Sequence, residues 1–181
     1  MNLKNRIIAL VAAAAIAVPA IAIAKHQKRG DDKERVAMAF FKAKLNAGGG
    51  IDGKTADIDI DDDDNKIKFK VDMGRVNTGM KLRNEHFQTK FLKGKTKAVL
   101  TVNKSDVKGK KGGEVPAKLK LNDKEKDVTV KWSKDDDGDR IKIKGSTNIK
   151  YTDFGWEKMC YLGVCVEEAV EVSAVMWVSK D

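Results

Sequence analysis

The feature that most constrains this fold is an alternation of apolar and polar residues with a period of two, which recurs along most of the chain. In the segment NKIKFKVDM, for example, Ile67, Phe69 and Val71 alternate with charged residues. Such alternation is typical of β-strands, because successive side chains point to opposite faces of the strand. The other segments with this pattern span residues 36–45, 98–102, 115–121, 128–132, 141–149 and 170–178.

Turn-forming segments separate these runs, as expected for antiparallel hairpins: NAGGGIDG, DDDDN, KGKKGGE, NDKEK and KDDDGD. The pattern therefore predicts an all-β fold of about eight strands. Each strand has one apolar face to bury, either by closure into a barrel or by packing of two sheets. A barrel of this size has an interior wide enough for one small apolar ligand, and the alternation allows a filled or an open interior.

Two segments interrupt the alternation. The first, TGMKLRNEHFQTKFL, predicts one short amphipathic helix with Thr78 as its N-cap and with Met80, Phe87 and Phe91 on one face. The second spans residues 151–168 and holds four aromatic residues without a clean period. We expect both segments to cover the ends of the barrel.

The N-terminus has the three parts of a secretion signal: a positive start, an apolar stretch from Ile7 to Ile23, and a small-residue cleavage site ending at Ala24. An uncleaved membrane anchor is the alternative. The sequence therefore predicts a signal peptide at 1–24, a flexible polar tail at 25–34 and one domain at 35–181, exported to the periplasm.

The formal net charge is +9, and the basic excess is concentrated between Lys81 and Lys131. A basic face of this kind suits nucleic acid or an anionic membrane surface, and a solvated strand face is the plain alternative. Export argues against nucleic acid, and the lysines are not interleaved with Arg and stacking aromatics as in single-strand binders. We therefore expect no nucleic-acid partner.

Cys160 and Cys165 are the two cysteines of the chain, and export would place both in an oxidising compartment. An extended chain would hold their Cα atoms about 16 Å apart, whereas a disulfide requires roughly 5.5 Å. The intervening YLGV must therefore turn back on itself, which Gly163 permits. Two separate buried thiols are the alternative.

Catalytic and metal-binding patterns are weak in this sequence. His86 has no companion except His26 in the predicted tail, and no Ser lies in a nucleophile-elbow context. We therefore expect His86, with Arg83 and Glu85, to be a polar anchor that fixes the helix to the sheet. DDDGD does not match a calcium loop, because Arg140 occupies the position of the required Gly. We expect no catalytic residue and no metal.

Two sequence blocks resemble the YceI-like family of secreted lipid- or polyisoprenoid-binding domains. Residues 78–86 are similar to the family's Thr-Gly-x-x-x-Arg-Asx-Glu-His signature, and residues 153–164 are similar to its aspartate-aromatic-glycine segment followed by Tyr-Leu-Gly-Val. The similarity extends over roughly residues 36–178. This chain departs from the family at Trp156, where Ile is usual, and at Met159 and Cys160, which replace Pro and a small polar residue.

The resemblance implies an eight-stranded antiparallel lipocalin-like barrel with one short helix near an opening and an apolar tunnel for a long isoprenoid or similar lipid. It implies no catalytic residue and no cofactor apart from a bound lipid. The helix would be a lid over the tunnel. The residues expected to form the tunnel and lid are Phe41, Phe69, Met80, Phe87, Phe91, Leu119, Trp132, Phe154, Trp156 and Tyr161.

The sequence thus predicts a noncatalytic periplasmic binding or transport protein for a long-chain lipid. One alternative is a structural or interaction module with a filled barrel, whose Lys-rich face binds an anionic envelope component. A hydrolase is the other alternative, and the shortage of His argues against it. The oligomeric state is left open.

Overall fold

The computed structural model describes residues 37–179, and the alternating segments form antiparallel strands within that range. The predicted signal peptide and tail lie outside the described residues. Two short helices interrupt the strands: α1 (Lys81–His86), which continues as a π-helix (Phe87–Leu92), and α2 (Lys104–Val107). The strands are β1 (Met38–Leu45), β2 (Gly50–Thr55), β3 (Ile58–Asp62), β4 (Lys66–Asp72), β5 (Lys97–Asn103), β6 (Gly112–Leu121), β7 (Lys124–Asp137), β8 (Arg140–Lys150), β9 (Cys160–Tyr161) and β10 (Val164–Ser179).

The order of strand pairing is β2-β1-β10-β8-β7-β6-β5-β4-β3, so the two outermost strands are consecutive in the chain. β2 and β3 form one bent strand whose first half pairs with β1 and whose second half pairs with β4. A bridge between Lys54 and Asn77 adds two backbone hydrogen bonds of 3.0 and 2.8 Å near this bend. The sheet therefore curls into a barrel, and the predicted lipocalin-like architecture is confirmed.

The bent strand also accounts for the strand count. With β2 and β3 taken as one strand and β9 as a two-residue arm on β10, eight long strands remain. Residues 50–53 and 61–62 of this bent strand were predicted as turns, because Gly53 and the aspartates disguise its alternation. Ile58 and Ile60 are nevertheless two positions apart and both half-buried, which is the signal that could have identified β3.

The antiparallel order gives the barrel two chemically different ends. One end, here called the aromatic end, carries the helical segment between β4 and β5 and residues 151–159 between β8 and β9. The other end, here called the basic end, carries residues 104–111 between β5 and β6 and the turn between β7 and β8. The larger cluster of buried side chains, which includes Leu121 and Phe154, lies towards the aromatic end.

The helical segment begins later than predicted. Met80, not Thr78, is the N-cap residue; it has an extended backbone and makes no side-chain capping bond. The segment ends at Lys93 and Gly94, which have φ values of 48° and 81°. Its last residue, Leu92, is completely buried, so the end of the π-helix packs against the rest of the fold.

Asp72 connects the end of β4 to the neighbouring strand. Its carboxylate accepts hydrogen bonds from the Gly74 backbone N–H at 3.0 Å and from Lys97 Nζ at 3.0 Å. Burial tends to raise the pKa of Asp72, but Lys97, Gly74 and Thr96 together outweigh it and hold the pKa below its ordinary value. Because the pKa is lower in the folded state, Asp72 stabilises the fold above the unfolded-state pKa of about 3.9, and this contribution is lost as pH falls further.

We therefore expect Asp72→Asn to lower the free energy of unfolding at pH 7 by about 0.2–1 kcal/mol, the range of a largely exposed ion pair. The difference between wild type and variant should shrink as pH falls below about 3.9 and should vanish below the lowered folded-state pKa, because the wild-type carboxylate is then protonated in both states. Urea unfolding at pH 7, 5, 4 and 2.5 measures this. A difference that stays constant down to pH 2.5 would show that the ion pair does not stabilise the fold.

Candidate binding cavity

The inward faces of the strands enclose a cavity of about 1190 Å³. Its wall is mainly apolar because the inward residues of the alternating strands are Val, Ile, Leu, Phe, Met and Ala. On β8, the inward residues Thr147 and Gly145 are exceptions to this apolar lining. The volume exceeds the roughly 300–1000 Å³ typical of pockets for drug-sized ligands. A cavity of this size and polarity suits a long apolar ligand.

A row of aromatic side chains closes the cavity at the aromatic end. The ring of Phe87 stacks on Phe41 and on Phe91, with centroid separations of 5.6 and 5.4 Å. The ring of Phe91 then contacts Trp156 at 4.8 Å and the edge of Tyr151 at 5.6 Å. Phe87 and Phe91 thus face the interior, as the amphipathic pattern predicted. Contacts of this kind are typically worth about 0.5–1.5 kcal/mol each beyond area burial.

Gly53 on β2 leaves the space that the Phe41 ring occupies. A Cβ atom at Gly53 would lie 2.2 Å from Phe41 Cε1 and 2.8 Å from Val76 Cγ1, both closer than real carbon contacts. Phe41 and Gly53 are directly opposite in the β1–β2 register. The glycine therefore allows Phe41 to reach across the wall and stack on Phe87.

Residues 151–159 close the rest of this end. Tyr151 begins a 3₁₀ turn (Tyr151–Phe154), and its hydroxyl donates to the Val166 carbonyl at 3.2 Å and accepts from the Met159 N–H at 3.3 Å. The carbonyl of Phe154 accepts a hydrogen bond from Asn122 Nδ2 at 2.9 Å, across the barrel end. These bonds hold Trp156 and Met159 in the cavity wall.

The polar face of α1 contacts the segment before the helix. Arg83 donates from Nε to Thr78 Oγ1 at 2.9 Å, and a second guanidinium nitrogen donates to the Thr78 carbonyl. Asn84 Oδ1 accepts from the Thr78 hydroxyl at 2.6 Å and from its N–H at 2.8 Å. The contacts of Arg83 and Asn84 therefore join the helix to Thr78.

Glu85 and His86 are the other two predicted anchor residues, and the contacts given below do not join their side chains to the sheet. Glu85 is exposed, and its backbone carbonyl accepts a hydrogen bond from Thr89 Oγ1 at 2.8 Å. His86 is half-buried on the last turn of α1. Their role as anchors stays a prediction.

Seven of the ten predicted tunnel and lid residues line the cavity: Phe41, Phe69, Phe87, Phe91, Leu119, Trp132 and Trp156. Three do not. Met80 is 56% exposed because the helix begins after it, and Phe154 is 2% exposed because it packs inside the core cluster. Tyr161 is 73% exposed on the outer arm formed by β9. Tyr151 and Met159 line the wall instead and were missed, because residues 151–168 have no period to show which side chains point inward.

Cys160 and Cys165 form a disulfide, as one of the two sequence alternatives predicted. They lie directly opposite each other in the β9–β10 register. Between them, Leu162 and Gly163 have φ values of 48° and 82°, as expected for the two central residues of a tight type I′ hairpin. The turn thus brings the two cysteines together.

The cavity wall is exposed only towards the basic end. Its exposed residues, within the range 37–179, are Lys108, Gly109, Lys110, Lys111, Asp135, Asp136 and Lys144. Deeper on the same side, the indole Nε1 of Trp132 is buried without a hydrogen-bond acceptor among the described residues. The exposed wall indicates that the cavity opens at the basic end, opposite the aromatic row.

No group of three or more His, Cys, Asp or Glu side chains in residues 37–179 is placed to hold a metal ion. Within the same residues, no helix is long and apolar enough to cross a membrane.

A curled antiparallel sheet around a large apolar cavity places the protein in the class of lipocalin-like barrels. Residues 31–177 match the YceI-like domain family, and the chain belongs to that family. A comparison with curated proteins returns no significant match.

Solved structures of low sequence identity share the fold. BcnA from Burkholderia cenocepacia is 16% identical with a TM-score of 0.62, covering 80% of this chain and 96% of BcnA. A polyisoprenoid-binding domain from Saccharophagus degradans, implicated in plant cell wall breakdown, is 15% identical with a TM-score of 0.59, covering 82% and 97%. The YCEI protein of Campylobacter jejuni is 20% identical with a TM-score of 0.51, covering 68% and 80%.

Proposed function

We propose that this protein is a noncatalytic binding or transport protein that holds one long-chain isoprenoid or similar lipid inside the barrel. The observation that carries the proposal is the apolar cavity of about 1190 Å³. Burial of about 20 methylene groups contributes about 16 kcal/mol, so association and ordering losses of about 8 kcal/mol still leave micromolar affinity. Such a site needs few polar contacts, and chain length and shape would set its specificity.

The family supports the choice of ligand. A structure with the same fold is described as a polyisoprenoid-binding domain, and that property is proposed here for this chain. The seven cavity-lining residues of the sequence prediction, with Tyr151 and Met159, would contact the lipid chain. Phe87 and Phe91, which were predicted to form a lid, would close the cavity at the aromatic end.

We also propose a periplasmic location. The predicted signal peptide supports it, as does the disulfide, since disulfides persist in oxidising compartments and are rare in the cytosol.

Native mass spectrometry tests the function. The mature chain from Lys25, purified from a bacterial periplasm without detergent, should carry about one lipid per protein, and solvent extraction should identify it. A protein that is empty on purification and takes up no added isoprenoid would contradict the proposal.

A blocked cavity gives a sharper test. Ala39 on β1 lines the cavity, whereas Lys42 on the same strand is exposed on the outer face. Ala39→Phe should lower the amount of bound lipid per protein at least tenfold, because the new ring occupies volume that the lipid needs. Lys42→Phe introduces the same side chain on the outer face and should leave the amount of bound lipid per protein unchanged. Equal lipid content in the two variants would place the lipid elsewhere.

The alternative of a basic face for an anionic envelope polymer is less well supported. Lys118 pairs with Asp127 at 3.3 Å and with Glu125 at 3.4 Å, and these hydrogen bonds and charges raise its pKa. Lys95 and Lys97 are likewise paired, with Asp123 and Asp72. Part of the positive charge on this face is thus already balanced. Salt-sensitive binding of the polymer to a lipid-free protein would favour the alternative.

A further inference from the structure

Lys134 is a charged residue on the inner face of a mainly apolar barrel. It follows Val130 and Trp132 on the inward face of β7, is opposite Ile143 on β8, and lines the cavity while half-buried. No ion pair connects Lys134 to another residue of the described range 37–179. Lys134 therefore places a cation without an ion-pair partner among the described residues in the cavity wall.

The loop after α2 adds two more cations at the same end. The N–H of Lys134 donates to the Lys111 carbonyl at 2.7 Å, and the N–H of Lys108 donates to the Lys104 carbonyl at 3.0 Å. These bonds hold the loop over the basic end, where Lys108 and Lys111 line the cavity opening. Neither lysine side chain has an ionic partner within the part of the chain that the structure describes.

Asp135 and Asp62, two acidic residues near the opening, are paired with lysines outside this group. Asp135 is on the outer register of β7 and lies 3.7 Å from Lys144 on the neighbouring strand. Asp136 is on the inner register, and it interacts with other groups. Lys104, at the base of the loop, pairs with Asp62 at 2.6 Å. Lys134, Lys108 and Lys111 therefore remain available to a ligand.

We propose that the basic end binds the anionic head group of an amphiphile, a phosphate or a carboxylate, through Lys134, Lys108 and Lys111. The apolar chain then runs inward and ends at the row of Phe41, Phe87, Phe91 and Trp156. This inference rests on the proposed lipid-binding function and adds to it the head-group chemistry and the direction of the bound molecule. The buried indole N–H of Trp132, one inward position deeper than Lys134, is a second polar group that an apolar chain alone does not require.

The test compares hexadecyl phosphate with hexadecanol, which share one chain and differ in the head group. Dissociation constants are measured by titration of intrinsic tryptophan fluorescence at low salt. The wild-type protein should bind the phosphate at least tenfold more tightly than the alcohol, and added salt should reduce this preference.

Lys134→Gln should weaken hexadecyl phosphate binding about tenfold and leave hexadecanol binding within twofold. Lys131→Gln, with the same change of charge on the outer face of β7, should alter neither. The double variant Lys108→Gln/Lys111→Gln changes exposed loop residues, so it folds even where Lys134→Gln does not, and it should also weaken only the phosphate. Equal weakening of both ligands, or no effect of any variant, would overturn the head-group site while leaving the lipid-binding function intact.

Two further outcomes separate the remaining explanations. Failure of both amphiphiles to bind wild-type protein would overturn the proposed function together with this inference. Inorganic phosphate that binds wild-type protein as tightly as hexadecyl phosphate would assign the site to a free anion and overturn the head-group assignment.

The direction of the chain is tested with hexadecyl phosphate brominated at its far end, a quencher of nearby tryptophan. Trp156→Phe should abolish the quenching, because Trp156 lies at the aromatic end, and Trp132→Phe should retain it. The reverse pattern would place the chain end beside Lys134 and overturn the proposed direction.

Discussion

Phe154→Ala is expected to lower the free energy of unfolding by about 3–5 kcal/mol, the range for loss of a fully buried aromatic side chain. Phe154 is 2% exposed and packs in the core cluster at the aromatic end, among Leu121, Tyr151 and Val166. Native domains are stable by only about 5–15 kcal/mol, so this is a large share of the total. Urea unfolding measures it as a lower midpoint with an unchanged slope.

Tyr161→Ala is the matched control for Phe154→Ala. Both aromatics lie in the second aromatic segment, and both were predicted from the sequence to form the tunnel, but Tyr161 is 73% exposed on the β9 arm. We expect its replacement to change the free energy of unfolding by no more than about 0.5 kcal/mol. Similar losses for the two variants would show that the β9 arm packs more tightly than described.

Gly53→Ala is expected to destabilise the fold by about 1–3 kcal/mol, the usual cost of overpacking a core. The added methyl group would overlap the Phe41 ring and Val76. Phe41 must then turn away, and its stacking contact with Phe87 is lost. Because Phe41 and Phe87 line the cavity, lipid content should also fall. Thermal or urea unfolding, together with native mass spectrometry, measures both effects.

Gly145→Ala is the control for Gly53→Ala. Gly145 also lines the cavity from a strand, but a Cβ atom there would lie 3.5 Å from Val130 Cγ1, an ordinary contact. Its replacement should be neutral or slightly stabilising. Adding Phe41→Leu to Gly53→Ala should recover part of the lost stability, because the smaller side chain removes the overlap. If the double variant is no more stable than the two single effects predict when added together, the overlap with Phe41 is not the cause of the lost stability.

The sequence predicted the strands whose inner and outer faces differ most in polarity. β4, β6 and β7 place Val, Ile, Leu and Phe inward and Lys outward, so their period is unmistakable. β2 was assigned to a turn because its inward residues are Ile51, Gly53 and Thr55, two of which carry little apolar signal. Position 53 must be Gly to fit Phe41, so the contact that shapes the cavity also removes the pattern that would have revealed the strand.

Three residues predicted to line the tunnel, Met80, Phe154 and Tyr161, lie outside the cavity wall for a related reason. An ideal α-helix from Thr78 would place Met80 on the same face as Phe87 and Phe91. The helix begins at Lys81 and changes to a π-helix at Phe87, so Met80 belongs to the extended chain before it. Which aromatics of residues 151–168 point inward depends on the Tyr151 hydrogen bonds and on the β9 arm. Those contacts join distant residues, and no local period encodes them.

The position of β10 determines when the barrel can be completed during biogenesis. β10 pairs with β8 and with β1, and it brings Val175 opposite Met38. The first described strand therefore has no neighbour on one side until the last one has been synthesised and, in an exported chain, translocated. Contacts between such distant residues slow folding and leave strand edges open in the meantime. A chain truncated before Val164 would leave β1 and β8 with unpaired edges, so we expect the whole length to be required for a soluble product.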